Sequence, residues 1–462
     1  MTNICRLALP AILLISSTAF GSDRRFQWSN EFSPPSAQFY QEQFSPFYWG
    51  ISWEGAIPKV ENEDRLFSLG SVKKVITAAT ALRELGSDYQ FTNEFTGDLD
   101  VAQGTVISPT FSVSGDPTWG HPSYGESLST RVDRVVAELK KLNIKNVTGE
   151  IQFNLLRPAV GQFQRPAEWK KDWLLECYAS LPTPVSFNGN CATLSLKSAK
   201  SVHWIEPGVS TPIVNKLVSG KVNSMVITPE LDSLGRVQRY IVSGSIVSAV
   251  NKTLPVHQNE NWLKNIFILK LNNAGISYLP KKVFTKAPQL LTPLYVDLSS
   301  KPLREILIPF LQESINLVGD RLHIEAPSDF ITLASLIPDP TEYQNVTLLD
   351  GSGLIAANRV TPKTFLHIMK SLKEQPYFQA LYDGLPVSGV SGTLESRMNT
   401  PLLKDRVHAK TGTINGVANL AGYWTKSDQS LEPFVIFTES SLSASEARAK
   451  IDAQVADFAR KN

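Results

Sequence analysis

The chain predicts an α+β fold in which helices from both ends pack on one antiparallel sheet and a large second α+β unit is inserted between them. Apolar residues recur at helical spacing near both ends, at Val75, Ala78, Ala79, Leu82 and Leu85 and again at Ile451, Val455 and Phe458. A strand-turn-strand pattern runs from Val407 to Thr413, through Asn415-Gly416, to Val417–Trp424. The chain's 462 residues exceed one ordinary core, and the interval from Ser71 to Ser314 is more than twice that from Ser314 to Lys410. The extra mass therefore lies between the first two of these positions.

Taken in order, residues 1–21 carry the lone charge Arg6, the apolar stretch Leu7–Ile15 and the small-residue end Ala19-Phe20-Gly21, the pattern of a secretory signal cleaved after Gly21. This predicts export to the periplasm. The apolar run is too short to span a bilayer, and no later segment offers 18 uncharged apolar residues, so membrane contact is at most peripheral. Losing the signal lowers the formal net charge of +2 by the one unit of Arg6. That balance argues against nucleic acid as a partner. A strand is expected near Phe47–Trp53, and a helix from Ser71 that Gly86 stops. From Tyr89 to about Thr292 the pattern gives a helix over Arg131–Leu142, a strand over Val147–Leu155, strand-like runs Val222–Thr228 and Val237–Val250, and a helix over Glu260–Asn273. The expected organisation is residues 22–88 and 293–462 as one discontinuous unit, with 89–292 as the inserted, nested or single, α+β unit. A segment beginning at Ser300 has Pro302 in its first turn and Leu303, Ile306, Leu307, Phe310 and Leu311 on one face; Pro309 is expected to kink or break it. A strand over Phe434–Thr438 and a helix from Ser443, capped by Glu446, close the chain.

Three short strings carry the chemistry. Ser71-Val72-Lys73-Lys74 places a serine at a helix N-terminus, where free N–H groups and the helix dipole favour an attacking oxygen and the oxyanion it creates. Ser71 and Lys74, three apart, share one face, and a buried ammonium is pushed toward the neutral form that can take the serine proton. S-x-N occurs at Ser314-Ile315-Asn316, delivered by the preceding helix, and at Ser186-Phe187-Asn188, which reads as a structural loop. Ser314 is suited to relay a proton to the leaving amine, and the Asn316 amide to bond a substrate backbone. Lys410-Thr411-Gly412 lies on a strand whose open edge can pair with an extended peptide; Lys410 and Thr411 would meet its carboxylate and the Thr413 N–H would join that of Ser71 as an oxyanion hole. Each string alone is commonplace, and an isolated S-x-x-K is more often a capped helix with a surface lysine. Three in this order point to serine acyl transfer.

Cys177 and Cys191, left once Cys5 is removed, form an even count in an oxidising compartment and are expected to be bonded. The six histidines make no metal-binding pattern, so neither a metal nor another cofactor is expected.

With these strings in place the chain resembles the low-molecular-mass penicillin-binding proteins of the penicillin-binding protein 4 type, exported D-alanyl-D-alanine carboxypeptidase/endopeptidases whose serine β-lactamase-like transpeptidase domain is distinguished by a large insert after S-x-x-K. Further family-like strings stand at Ser114-Gly115-Asp116-Pro117-Thr118, Asp350-Gly351-Ser352-Gly353-Leu354 and Gly392-Thr393-Leu394-Glu395-Ser396-Arg397, and Cys177 and Cys191 resemble a cysteine pair in that insert. The resemblance implies cleavage of peptidoglycan stem peptides through an acyl-enzyme on Ser71, with Lys74, Ser314, Asn316 and Lys410 as catalytic partners, Thr411, Gly412, Thr413 and Arg397 at the substrate, and β-lactams as covalent inhibitors. Ser391 and Asn415 depart from the family's usual residues, and Asp172 is the nearest counterpart of the insert's acidic residue that would greet a diaminopimelate amino group. Two other functions compete. A class A β-lactamase needs a glutamate for deacylation, and Glu395 stands too close before Lys410 to supply that loop. A noncatalytic wall-binding protein would not need all three strings intact.

Overall fold

The computed structural model describes residues 47–156, 163–281, 291–414 and 416–462. The expected signal and Asn415 of the expected turn lie outside the described residues. Tyr48–Trp53 and Lys59–Glu61 pair as antiparallel strands. A 3₁₀ turn, Gly70–Val72, then leads into helix α1, Lys73–Leu85, which buries Val75, Ile76, Ala78, Ala79 and Leu82. Gly86 ends it at φ +82°, a conformation that costs glycine little.

Between residues 94 and 297, six strands form one mixed sheet: Glu94–Asp100, Thr105–Val113, Asn146–Thr148, Gln152–Leu155, Ser277–Leu279 and Leu291–Asp297. Helices α2, Thr130–Lys141, and α3, Asn259–Asn273, pack on it through Val132, Val135, Leu139, Leu263 and Phe267. The single strand expected over 147–155 is two, since both pair in parallel with Thr105–Val113 at different points along it, and Gly149 at φ +96° makes the break between them. Two three-stranded sheets share a smaller core around Leu194, Leu196, Tyr240 and Val242. The run expected over 237–250 stops at Ile246, because Val250–Pro255 crosses to pair with Cys191–Leu196 in the other sheet. Val226–Leu231 takes the place of the strand expected over 222–228. Leu291–Asp297 pairs with Glu94–Asp100 and so runs across the position expected for a boundary at 292.

Helix α4, Leu303–Gln312, runs through Pro309 instead of breaking there. Proline inside a helix costs roughly 3 kcal/mol, whereas Ile306, Leu307, Phe310 and Leu311 are fully buried and each contributes about 1.5–3 kcal/mol. Burial wins. Helices α5, Asn316–Glu325, α6, Asp329–Leu336, α7, Pro362–Leu372, and α8, Phe378–Gly384, follow. The chain then forms the antiparallel strands Val407–Ile414, Val417–Thr425 and Leu431–Glu439, the last pairing with Tyr48–Trp53 to complete a five-stranded sheet. One face of this sheet gives Ala421, Tyr423, Val435 and Phe437 to a core shared with α1 and α4 to α8. The other gives Ala409, Leu420, Phe434 and Ile436 to α9, Ala444–Lys461, through Ile451, Val455 and Phe458. Ser443 and Glu446 form the expected capping box of α9.

One buried ion pair joins α1 to α6. Lys73 is completely buried, and its Nζ lies 2.9 Å from Asp329 Oδ2 and 2.8 Å from Thr77 Oγ1. Thr80 donates to the other Asp329 oxygen. Burial pushes the Asp329 carboxyl up, but Lys73 and His323 outweigh it and hold the carboxyl well below the usual carboxylate range. Lys73→Ala would strand that carboxylate in the core. It is expected to cost about 3–5 kcal/mol of unfolding free energy at pH 7 by urea denaturation. Because a depressed carboxyl stabilises the fold above its unfolded pKa and ceases to do so as pH falls through the folded one, the deficit should shrink in acid; a deficit that is small at pH 7, or that grows in acid, would contradict this account.

Candidate active site

Ser71, Lys74, Ser314, Asn316 and Lys410 arrive from three separate stretches of chain and meet at one cleft. Ser71 sits in the 3₁₀ turn that opens α1, and Lys74 follows in the helix's first turn. Lys74 is completely buried, and its Nζ lies 3.0 Å from Ser71 Oγ, 2.6 Å from Asn316 Oδ1 and 2.6 Å from the Ser352 carbonyl. The last two partners are carbonyl oxygens, which can only accept. A neutral amine that donates its two protons to them therefore aims its lone pair at Ser71, and the serine hydroxyl becomes the donor. This is the geometry of a base. Burial lowers the Lys74 pKa to about 7, against the pull of Asp320 and Asp350 and with the help of Lys73.

Ser314 occupies the turn between α5 and α4, the helix that delivers it, at φ +61°. Left-handed backbone in a non-glycine residue costs about 1–2 kcal/mol. It points Ser314 Oγ at Lys410 Nζ, 3.0 Å away, and lets Asn316 begin α5. Lys410 is also fully buried, its second contact being the Thr411 carbonyl at 3.0 Å. Burial, with Lys74 nearby, holds its pKa well below the ordinary value.

Lys410 lies on the terminal strand of the five-stranded sheet. Along the outer edge, the Ala409 N–H and the Val407 carbonyl bond to Pro386 and Ser388. Alternation along the strand then turns the Thr411 carbonyl and the Thr413 N–H outward as well. Gly412 is needed at this point, because a Cβ there would meet the Leu69 carbonyl at 2.6 Å. That close approach brings the strand against the Ser71 turn: a Cβ at Gly70 would lie 3.4 Å from the Thr413 nitrogen. The Thr413 N–H therefore lies beside the turn that carries Ser71. Thr411 Oγ1 pairs with Thr393 Oγ1 at 2.9 Å.

The cleft in front of Ser71 has a volume of about 470 Å³. Ser314, Asn316 and Thr413 line it, together with Trp173, Tyr178 and Leu354 on one side and Leu442, Ala444 and Ala447 on another. The Trp173–Tyr178 wall adjoins the Cys177–Cys191 disulfide, and the Asn316 amide donates to the Tyr178 carbonyl at 2.8 Å. Ser186 is buried in that same loop, bonded to Thr183 and Asn190, a structural role as expected. Arg397, by contrast, is directed away from the cleft lining and bonds Asp452 on α9 at 2.6 Å. Asp172 is exposed beside Trp173 and does not line the cavity.

Sequence reasoning missed the groups behind Lys74. Asp320 is buried on α5, and its Oδ1 accepts from the N–H groups of Ser352 at 2.9 Å and Gly351 at 3.2 Å. Burial, reinforced by Asp350, raises the Asp320 pKa to about 7. The Asp350 string was visible in the sequence without its purpose. Asp320 could have been found only from its position four residues after Asn316, on the same helical face.

An antiparallel sheet flanked by helices, with Ser71, Lys74 and Lys410 gathered at its edge strand, defines a transpeptidase-type fold of the serine peptidase class. Residues 59–461 match the D-Ala-D-Ala carboxypeptidase 3 (S13) family, and the chain belongs to it. It is 26% identical over 396 residues to the D-alanyl-D-alanine carboxypeptidase DacB of Haemophilus influenzae, an alignment covering 79% of each chain. It is 23% identical over 400 residues to a D-alanyl-D-alanine carboxypeptidase of Actinomadura sp., covering 76% of this chain and 69% of that one. Its fold is similar to the crystal structure of penicillin-binding protein 4 (dacB) from Haemophilus influenzae, with a TM-score of 0.67 and 21% identity over 89% of this chain and 94% of that one.

If the arrangement works as drawn, Ser71→Ala abolishes covalent labelling by a fluorescent penicillin, and Lys74→Ala slows it by roughly 10²–10⁴-fold with the fold retained. For the intact protein the labelling rate should rise with pH through about 7, as Lys74 becomes neutral. Unchanged labelling in either variant, or a rate that falls over that range, would refute the assignment.

Proposed function

We propose that this chain is an exported serine D-alanyl-D-alanine carboxypeptidase that trims peptidoglycan stem peptides through an acyl-enzyme on Ser71 and also cuts D-alanyl-diaminopimelate cross-links. The observation that carries this reading is the Lys74 amine, buried between two carbonyl oxygens with its free valence toward Ser71. In the first step Lys74 takes the Ser71 proton while Oγ attacks the carbonyl carbon of the penultimate D-alanine. The developing oxyanion is met by the N–H groups of Ser71 and Thr413. Collapse breaks the peptide bond, and the leaving amine receives a proton through Ser314, which Lys410 holds. Water then releases the acyl group by the reverse path and restores Ser71.

Thr411, Gly412 and Thr413 supply the strand edge along which the substrate extends, with Lys410 and Thr411 facing its terminal carboxylate. β-Lactams would acylate Ser71 and leave slowly. The matched family supports the carboxypeptidase reading. We further infer that the chain on either side of the insert acts as the catalytic unit, and that the insert, expected over 89–292, extends through the strand Leu291–Asp297 and walls the cleft with its Trp173–Tyr178 segment. The periplasmic setting rests on the signal pattern of residues 1–21 and agrees with the described residues, where no helix is long and apolar enough to cross a membrane.

Incubation of the purified enzyme with muropeptides should release free D-alanine from pentapeptide stems and convert cross-linked dimers to monomers, both read by liquid chromatography and mass spectrometry. Intact-mass measurement after penicillin should show one persistent adduct at Ser71. Rapid steady-state turnover of penicillin with no action on muropeptides would overturn the assignment in favour of a lactamase.

A further inference from the structure

The loop that carries the Ser352 carbonyl is clamped between two helices. On the α1 side, Thr77 Oγ1 donates to the Gly351 carbonyl at 2.8 Å and Lys74 donates to that of Ser352. On the α5 side, a Cβ at Gly351 would lie 2.0 Å from the Gly319 carbonyl, so the loop rests directly on helix backbone. The next residue of α5, Asp320, takes the N–H groups of both Gly351 and Ser352 on a single oxygen. Its second oxygen, Oδ2, is buried and has no hydrogen-bond partner among the described residues.

Its neighbour Asp350 is in the opposite situation. Both of its oxygens are engaged, by the N–H groups of Gly353 and Ile355 and by the Asn358 amide. Burial, with Asp350 nearby, raises the Asp320 carboxyl to about 7, so Asp320 is a carboxyl able to change its charge near neutrality, and it stands behind the loop that touches the amine. The other charged and titratable groups acting on this pair are Lys73 and Lys410 toward Lys74, and His323 toward Asp320.

We propose that Asp320 is a positioning residue for acylation: it holds the Gly351–Ser352 peptide so that the Ser352 carbonyl occupies one N–H of Lys74, and its charge governs how readily Lys74 gives up its proton. The inference rests on the reading of Lys74 as the base. When Asp320 is ionised it stabilises the ammonium and withholds the base; when it is protonated that opposition is removed and the lone pair is released toward Ser71. No group in this account touches substrate, so the effect reaches the reaction only through Lys74.

The test compares second-order rates of acylation by a fluorescent penicillin across about pH 5 to 9 in the full-length protein, with intact mass confirming the adduct and thermal melting confirming the fold. Asp320→Asn keeps an acceptor for the two N–H groups but removes the charge, and is expected to move the acid-limb midpoint down by about one pH unit. Asp320→Glu keeps the charge but displaces the oxygen, and is expected to leave the midpoint near that of the wild type while lowering the rate about tenfold. A superimposable pH profile for Asp320→Asn, or a wild-type rate for Asp320→Glu, overturns the proposal. Should Asp320→Asn fail to fold, the rate of Asp320→Glu decides by itself. Failure of the underlying reading looks different: Lys74→Ala would then keep both the wild-type rate and the acid limb.

Discussion

A fully buried amine with two carbonyl oxygens in front of it is the constraint on which the rest of this structure depends. A solvated lysine is protonated at neutral pH and has nothing to offer a serine hydroxyl. Lys74 is buried on every side, so the cost of its charge rises until the neutral form competes. The Asn316 side chain and the Ser352 backbone then determine which way that neutral form faces, because neither can give a proton back. Direction, as much as pKa, suits the lysine to the role of base proposed for it.

Holding that geometry recruits much of the catalytic core. The Ser71 turn lies directly against the Lys410 strand, and glycine at 412 permits the approach. Gly353 serves the same end on the other side, since a Cβ there would meet the Gly70 carbonyl at 1.9 Å. Behind α1, the Lys73–Asp329 pair fixes the helix against α6. Adjacent lysines on one helix thus have opposite fates: Lys73 is matched by a carboxylate in hydrogen-bond contact, while Lys74 faces carboxylates only at a distance, through a loop.

The cleft is also tied to the chain's middle portion. Asn316 spends its carbonyl on Lys74 and its amide on the Tyr178 backbone, so one side chain registers both the base and the wall beside the disulfide. Movement of that wall would be felt at the amine. Arg321, one turn further along α5, bonds the Ser114 and Gly115 carbonyls and extends the same connection. Helix α5 is therefore the element through which residues 94–297 and the lysine pair hold each other in place.

The sequence by itself picked out Ser71, Lys74, Ser314, Asn316 and Lys410, which the fold brings together, and also the strand that carries Lys410 and the capped terminal helix, because each is a local pattern: a helix N-terminus, an i,i+3 pair, a strand-turn-strand run, a capping box. Local patterns survive folding when burial agrees with them. Where burial disagreed, the reading failed: α4 continues through Pro309 because four core side chains outweigh one missing hydrogen bond. Arg397 found its partner in Asp452, a residue of the last helix that no spacing could link to it. Only the tertiary structure decided what surrounds Lys74, since the Ser352 carbonyl and the Asp320 carboxylate belong to segments hundreds of positions from it, and a backbone oxygen leaves no mark in a sequence at all.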